Sequence, residues 1–185
     1  MSNLTLQLQR RGARCGLKGP RAAEWLVVQG VIVPTVANSW AQAPGSADRD
    51  ALLVARLGQS EFFLEDGAAA TTLAKIAPAL SAPPPGVYPV LREDWGLRLA
   101  GAGVHEVLAQ VCNVNFAALR PDCRPLVMTL MIGVAVLVVA QNGAKGDDAE
   151  RQFRIWCDPT YGPYLAESLG AVVVEGGGRY IGDPP

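Results

Sequence analysis

Phe153, Ile155 and Cys157 alternate with Gln152, Arg154 and Trp156, the period-two pattern of a strand with two distinct faces. Asp158-Pro159 then reads as a helix N-cap with proline at the first helical position. Tyr161, Tyr164, Leu165, Ser168 and Leu169 follow at helical spacing, and Gly170 is the expected stop. A similar plan stands near the N-terminus. Leu4, Leu6 and Leu8 alternate as a first strand, and Ala13–Leu17 is a second extended piece. Leu17-Lys18-Gly19-Pro20 leads into a helix over Pro20–Gln29 carrying Ala22, Trp25 and Leu26, stopped by Gly30.

Val31–Val33 is expected to be extended, Ala41–Asp50 a loop, and Leu52–Leu57 with Glu61–Glu65 a hairpin turning at Gly58-Gln59-Ser60. Leu73, Ile76, Ala77 and Leu80 have helical spacing behind a threonine cap, with Pro78 kinking or shortening the helix. The stiff run Ser81-Ala82-Pro83-Pro84-Pro85-Gly86 is the clearest punctuation. After it the order recurs. Trp95, Leu97 and Leu99 alternate as a strand, and Gly101-Ala102-Gly103 opens a helix with Val104, Val107, Leu108, Val111 and Cys112 on one face. Leu126–Ala140, β-branched and bent at Gly133, reads as one long strand that pairs with Gln152–Cys157.

The pattern predicts an α+β fold of two pseudo-repeated strand-helix-strand-strand-helix halves, residues 1–80 and 87–175, joined by the proline-rich connector 81–86 within a single domain. Leu17, Gly19, Glu24 and Leu26 match Leu99, Gly101, Glu106 and Leu108 at a constant offset (99 − 17 = 82). Four identities alone are weak, but the predicted elements agree around them.

Composition narrows the chemistry. Half of the 185 residues are hydrophobic and 18% are charged, so part of the apolar excess suits a partner's surface. A net charge of −1 supplies no general attraction to nucleic acid or to an acidic membrane. The longest apolar run, Leu126–Ala140, falls short of the roughly 20 residues of a membrane helix. The first residues lack a basic stretch followed by an apolar one, so no signal peptide is expected. Cys15, Cys112, Cys123 and Cys157 form no Cys-x-x-Cys pair and share the chain with one histidine, which favours reduced thiols in the cytoplasm over a zinc site.

No catalytic set stands out. His105 has Ala102, Leu108 and Ala109 as helical neighbours, so a structural or surface role is expected. Gly16-Leu17-Lys18-Gly19-Pro20 is not a phosphate loop, and Gly176-Gly177-Gly178 reads as a flexible tail. There is no nucleophile elbow and no dinucleotide fingerprint. The candidate contacts with other subunits are Asn38 and Trp40 on a loop, Trp156 on the polar side of its strand, and Arg10, Arg11 and Arg14 in a basic stretch, although Trp40 equally suits the chain's own core, Trp156 a place under another layer, and the basic stretch a solvated face. That stretch lacks interleaved aromatics, so nucleic acid is not expected.

The stretch Gly16-Leu17-Lys18-Gly19-Pro20-Arg21-Ala22-Ala23-Glu24-Trp25-Leu26 resembles the opening of the gamma subunit of heterotetrameric sarcosine oxidase. Val33-Pro34, Asn38-Ser39-Trp40, Arg56-Leu57-Gly58-Gln59-Ser60-Glu61-Phe62, Val107–Cys112 and Phe153–Tyr161 fit the same pattern in order. Ser39 departs from it, standing where the family has an arginine. The resemblance implies a fold similar to part of the folate-binding aminomethyltransferases. It also implies a non-catalytic subunit in an oxidoreductase acting on CH–NH donors, with alpha, beta and delta partners. FAD, FMN, NAD and tetrahydrofolate are then expected on the partner subunits and none on this chain. The related N-methylglutamate dehydrogenase has a subunit of the same type, so sarcosine and N-methylglutamate both stand as substrates. The alternative is an independent folate-binding one-carbon transferase.

Overall fold

The computed structural model describes residues 3–9, 12–42, 51–67, 70–141 and 151–182. The chain divides into a continuous unit, Arg11–Glu93, and a split unit, Met1–Arg10 with Asp94–Pro185. The division therefore falls after Arg10 and after Glu93, on either side of the expected connector 81–86.

In the continuous unit the strands are β2 (Arg14–Lys18), β3 (Ser39–Gln42), β4 (Leu53–Arg56), β5 (Glu61–Glu65) and β6 (Tyr88–Val90), with helices α1 (Ala22–Val28) and α2 (Thr72–Leu80). They form an antiparallel sheet in the order β3-β4-β5-β2-β6. Alternation sorts the side chains onto two faces. Leu17, Val54, Phe62 and Leu64 join Ala22, Trp25, Leu26, Leu73 and Ile76 from the helices in one core. Leu53, Ala55 and Phe63 are buried on the other face. Pro89 lies in β6, an edge strand, where the missing N–H costs no ladder bond.

The split unit holds β1 (Thr5–Leu8), β7 (Trp95–Ala100), β8 (Leu126–Met131), β9 (Val134–Gln141), β10 (Gln152–Cys157) and β11 (Arg179–Ile181), with α3 (Val104–Val111) and α4 (Gly162–Glu175). The sheet order is β11-β1-β7-β10-β9-β8, antiparallel except for the parallel pair β1 and β11. Phe153, Ile155 and Cys157 pack with Leu97, Leu99, Val136 and Val138 under Val104, Val107, Leu108, Leu165, Leu169 and Val173. Each large side chain so buried contributes roughly 1.5–3 kcal/mol. β9 is buried on both faces, which is why its sequence is continuously apolar rather than alternating.

Stripped of β1, β6 and β11, each sheet has the same strand order. β3-β4-β5-β2 in one unit matches β8-β9-β10-β7 in the other, and each repeat runs strand, helix, three strands, helix. The expected pattern had two strands between the helices in each half. The extra strand of the first repeat is β3, which includes Trp40. That of the second repeat comes from the long apolar run. This run is not one bent strand but the hairpin β8–β9, turning through Ile132 and Gly133 at φ 50° and 80°. Positive φ at both central residues is the backbone of a tight turn whose twist matches the flanking strands.

Two further expectations change. Gly170 does not stop α4. It is buried inside the helix, with the Tyr180 ring 3.5 Å from where a Cβ would stand. The stop comes at Gly176 and Gly177, and φ at Gly177 is 77°. Gly178 then leads into β11 rather than a loose tail, with its N–H bonded to the Val173 carbonyl and the Arg179 N–H bonded to that of Leu4. Asp158 does act as a cap. Its carboxylate accepts the Thr160 N–H at 2.8 Å, over the short 3-10 turn Pro159–Tyr161 that precedes α4.

Candidate functional site

The Asn38-Ser39-Trp40 segment enters β3 beside Arg56 of β4, the residue opposite Ser39. Asn38 is exposed with φ 57°, a backbone state that asparagine tolerates better than most residues. Its N–H is bonded to the Arg56 carbonyl at 2.8 Å. Trp40 is buried, with 9% exposure. Arg56 is the organiser that the sequence reading did not single out. Its guanidinium donates to the carbonyls of Pro34 and Thr35 at 3.0 Å, of Gln59 at 2.8 Å and of Gly58 at 3.3 Å. It also stacks 5.5 Å from the Phe62 ring centroid. One side chain thus ties the loop before β3 to the hairpin β4–β5. The planar fork of donors is what permits this, and a lysine would not reproduce it.

Arg10 and Arg11 lie outside the described residues. Arg14 belongs to the sheet. It forms an ion pair with Glu65 directly across β2 and β5, with the two side chains 3% and 5% exposed. Next to this row, Asp66 is 3% exposed, and its Oδ2 accepts the Leu73 N–H at 2.9 Å, capping α2 from outside the helix. Burial pushes the Asp66 carboxyl above its ordinary value, against the opposing pull of that N–H and of Lys75.

Trp156 is buried in β10, opposite Gly96 and Leu137, with the Arg154 guanidinium 4.7 Å over its ring. His105 is half-buried on α3. Its ring meets Phe153 edge-on at 5.6 Å, and Nε2 lies 3.5 Å from an Arg151 guanidinium nitrogen. A guanidinium nitrogen only donates, so Nε2 accepts there. Cys15 and Cys157 are not prepared as nucleophiles. Burial, with a smaller push from Asp66, raises Cys15 to about 11. Burial, with Asp158 and Asp94 behind it, raises Cys157 to about 11 as well. Among the described residues, no three His, Cys, Asp or Glu side chains gather as a metal site. No helix among them is long and apolar enough to cross a membrane.

The split unit also carries an open apolar groove of about 860 Å³ along α4, from Pro163 to Glu175. Leu8, Trp95 and Tyr180 line it beside the helix, and Glu167 and Glu175 are its charged residues among the described residues. Trp95 is held against the start of α4, where any side chain on Gly162 would run into the indole.

No protein-family model matches the sequence, and no curated protein matches it. Solved structures do. The glycine cleavage system aminomethyltransferase T from Bartonella henselae matches with a TM-score of 0.67 at 18% identity, over 97% of this chain and 48% of that one. A chain of the heterotetrameric sarcosine oxidase from Corynebacterium sp. U-96, in complex with pyrrole 2-carboxylate, matches with a TM-score of 0.68 at 21% identity, over 93% of this chain and 84% of that one. The fold is aminomethyltransferase-like. It is the α+β fold expected from the sequence, and this chain spans about half the length of the aminomethyltransferase that shares it. In that fold the groove, the Arg56 staple and the buried Arg14–Glu65 pair are the features with the most developed chemistry.

Proposed function

We propose that this chain is the gamma-type, non-catalytic subunit of a sarcosine oxidase-like heterotetramer that oxidatively demethylates an N-methyl amino acid. The observation that carries the reading is the extent of the likeness. It takes in 93% of this chain and 84% of a chain of the heterotetrameric sarcosine oxidase. The ordered motifs from Gly16 to Tyr161 support the same reading.

In this reading the partners are larger alpha and beta subunits and a small delta subunit, in the cytoplasm, within sarcosine catabolism and one-carbon metabolism. FAD, FMN, NAD and tetrahydrofolate are held by those partners. The structural role of this chain is to present a rigid surface, on which Asn38 is exposed beside the Arg56 staple.

The test is purification of the tagged chain from its native cells, with identification of co-purifying subunits and an absorption spectrum. Larger subunits and a flavin spectrum support the reading. A colourless, solitary protein overturns it and calls for a tetrahydrofolate titration.

A further inference from the structure

We propose that the groove along α4 is a docking site for a basic, amphipathic segment of a partner polypeptide. The inference stands on the split unit alone and does not depend on the oxidase reading.

Three observations select this occupant. The first is shape. The groove follows α4 from Pro163 to Glu175, which at 1.5 Å per residue is a length of about 18 Å. That is more than three turns of a facing helix and longer than a compact metabolite needs. The second is the lining. Apart from its two glutamates the α4 side of the groove is apolar, through Pro163, Ala166, Gly170, Ala171 and Val174. Val174 on the same stretch is 59% exposed, an apolar residue left facing solvent.

The third observation is charge. Glu167 and Glu175 are both acidic, and no basic residue lines the groove among the described residues. They are eight residues apart, or about 12 Å along the helix axis. A small cation would satisfy one of them. A segment carrying two lysines or arginines at that separation satisfies both, with its apolar residues filling the space between. The rim charges set orientation and partner choice, while the apolar lining supplies most of the affinity.

The experiment uses the full chain and a fluorescein-labelled helical peptide of about 18 residues, with a leucine stripe and two lysines eight residues apart. Fluorescence anisotropy at low salt is expected to give saturable binding. Exchanging both rim charges, Glu167→Lys with Glu175→Lys, is expected to weaken it about tenfold. The doubly exchanged protein should in turn prefer the same peptide with glutamates in place of its lysines. Ala171 is exposed, so Ala171→Trp leaves the core alone, fills the groove and should weaken both pairings about tenfold.

Absence of saturable binding up to about 1 mM peptide overturns the proposal. So does binding that Ala171→Trp leaves unchanged, or equal affinity for the lysine and glutamate peptides. Light scattering of the chain without peptide supplies the last arm. A dimer that Ala171→Trp dissociates would make a second copy of this chain the occupant and would likewise overturn it.

Discussion

Gly19 and Gly101 hold the same backbone state at the same point of two strand-to-helix turns, with φ 122° after β2 and 107° after β7. Each is pressed against a carbonyl of the segment leading into an added strand. A Cβ on Gly19 would collide with the Gly86 carbonyl ahead of β6, and one on Gly101 with the Asn3 carbonyl ahead of β1. The correspondence carries a topological consequence. β1 precedes the first repeat in sequence yet pairs with β7 of the second, and β6 precedes the second yet pairs with β2 of the first. The two repeats have exchanged their leading strands.

Gly19→Ala and Gly101→Ala are therefore each expected to destabilise the chain. Left-handed strain and the collision together cost about 1–3 kcal/mol or more. Thermal unfolding followed by circular dichroism should show the midpoint falling by about 2–4 °C for each kcal/mol lost. Gly58→Ala is the control. It has open space around its Cβ position and no positive φ, and should stay within about 0.5 kcal/mol of the parent.

The Arg14–Glu65 pair makes a second prediction. With both side chains nearly inaccessible, removing one partner takes a buried ion-pair contact from the other. Glu65→Leu or Arg14→Met alone should cost about 3–5 kcal/mol in urea denaturation, while the double substitution should recover most of that loss. Additive losses would mean that the two charges act independently.

Asp66 gives the chain a pH dependence of defined sign. Its folded value lies above the ordinary 3.8, because burial disfavours the carboxylate. The folded state therefore holds this proton more tightly than the unfolded one. The stability so gained is full below pH 3.8 and is lost as pH rises through the folded value. Asp66→Asn keeps an oxygen for the Leu73 N–H and cannot ionise. Relative to the parent it should gain stability as pH rises above 3.8 toward neutrality. Asp66→Ala loses the cap of α2 and should cost about 1 kcal/mol across that range.

The thiols should separate cleanly by reactivity. Cys15 and Cys157, both raised to about 11, are protonated at pH 8, and Cys112 is buried beside the Thr129 hydroxyl at 3.7 Å. Cys123 is exposed. Iodoacetamide on the native chain at pH 8 should modify Cys123 alone, read by mass spectrometry of the digest. Modification of Cys15 or Cys157 at a comparable rate would contradict the burial argument.

Much of the architecture was legible because its signals are local. Alternation located β1, β7 and β10, the Gly58-Gln59-Ser60 turn located β4 and β5, and helical spacing located the four helices. The Leu17/Leu99 and Gly19/Gly101 matches marked a real structural repeat, each leucine fully buried and each glycine left-handed. The β8–β9 hairpin was hidden because β9 is buried on both faces and its alternation is erased. Ile132 gave no turn signal, being a β-branched residue at positive φ. Gly170 misled because a glycine inside a helix packed against Tyr180 looks, in sequence, like one that ends it. Among the described candidate contact residues, Asn38 is exposed. Trp40, Trp156 and Arg14 are buried within the chain, a fact that residue type could not supply.

By itself, then, the sequence determined the period of the alternating strands and of the helices, the cap at Asp158 and the duplication. Those follow from a few neighbouring residues and the backbone states they permit. Tertiary structure alone decided which strand each edge accepts, the exchange of β1 and β6 between repeats, the recruitment of β11, and the groove left open along α4. A strand's side chains encode which face is buried. Its ladder N–H and carbonyl groups are the same in every residue but proline, so the choice of partner is settled only when the faces are packed.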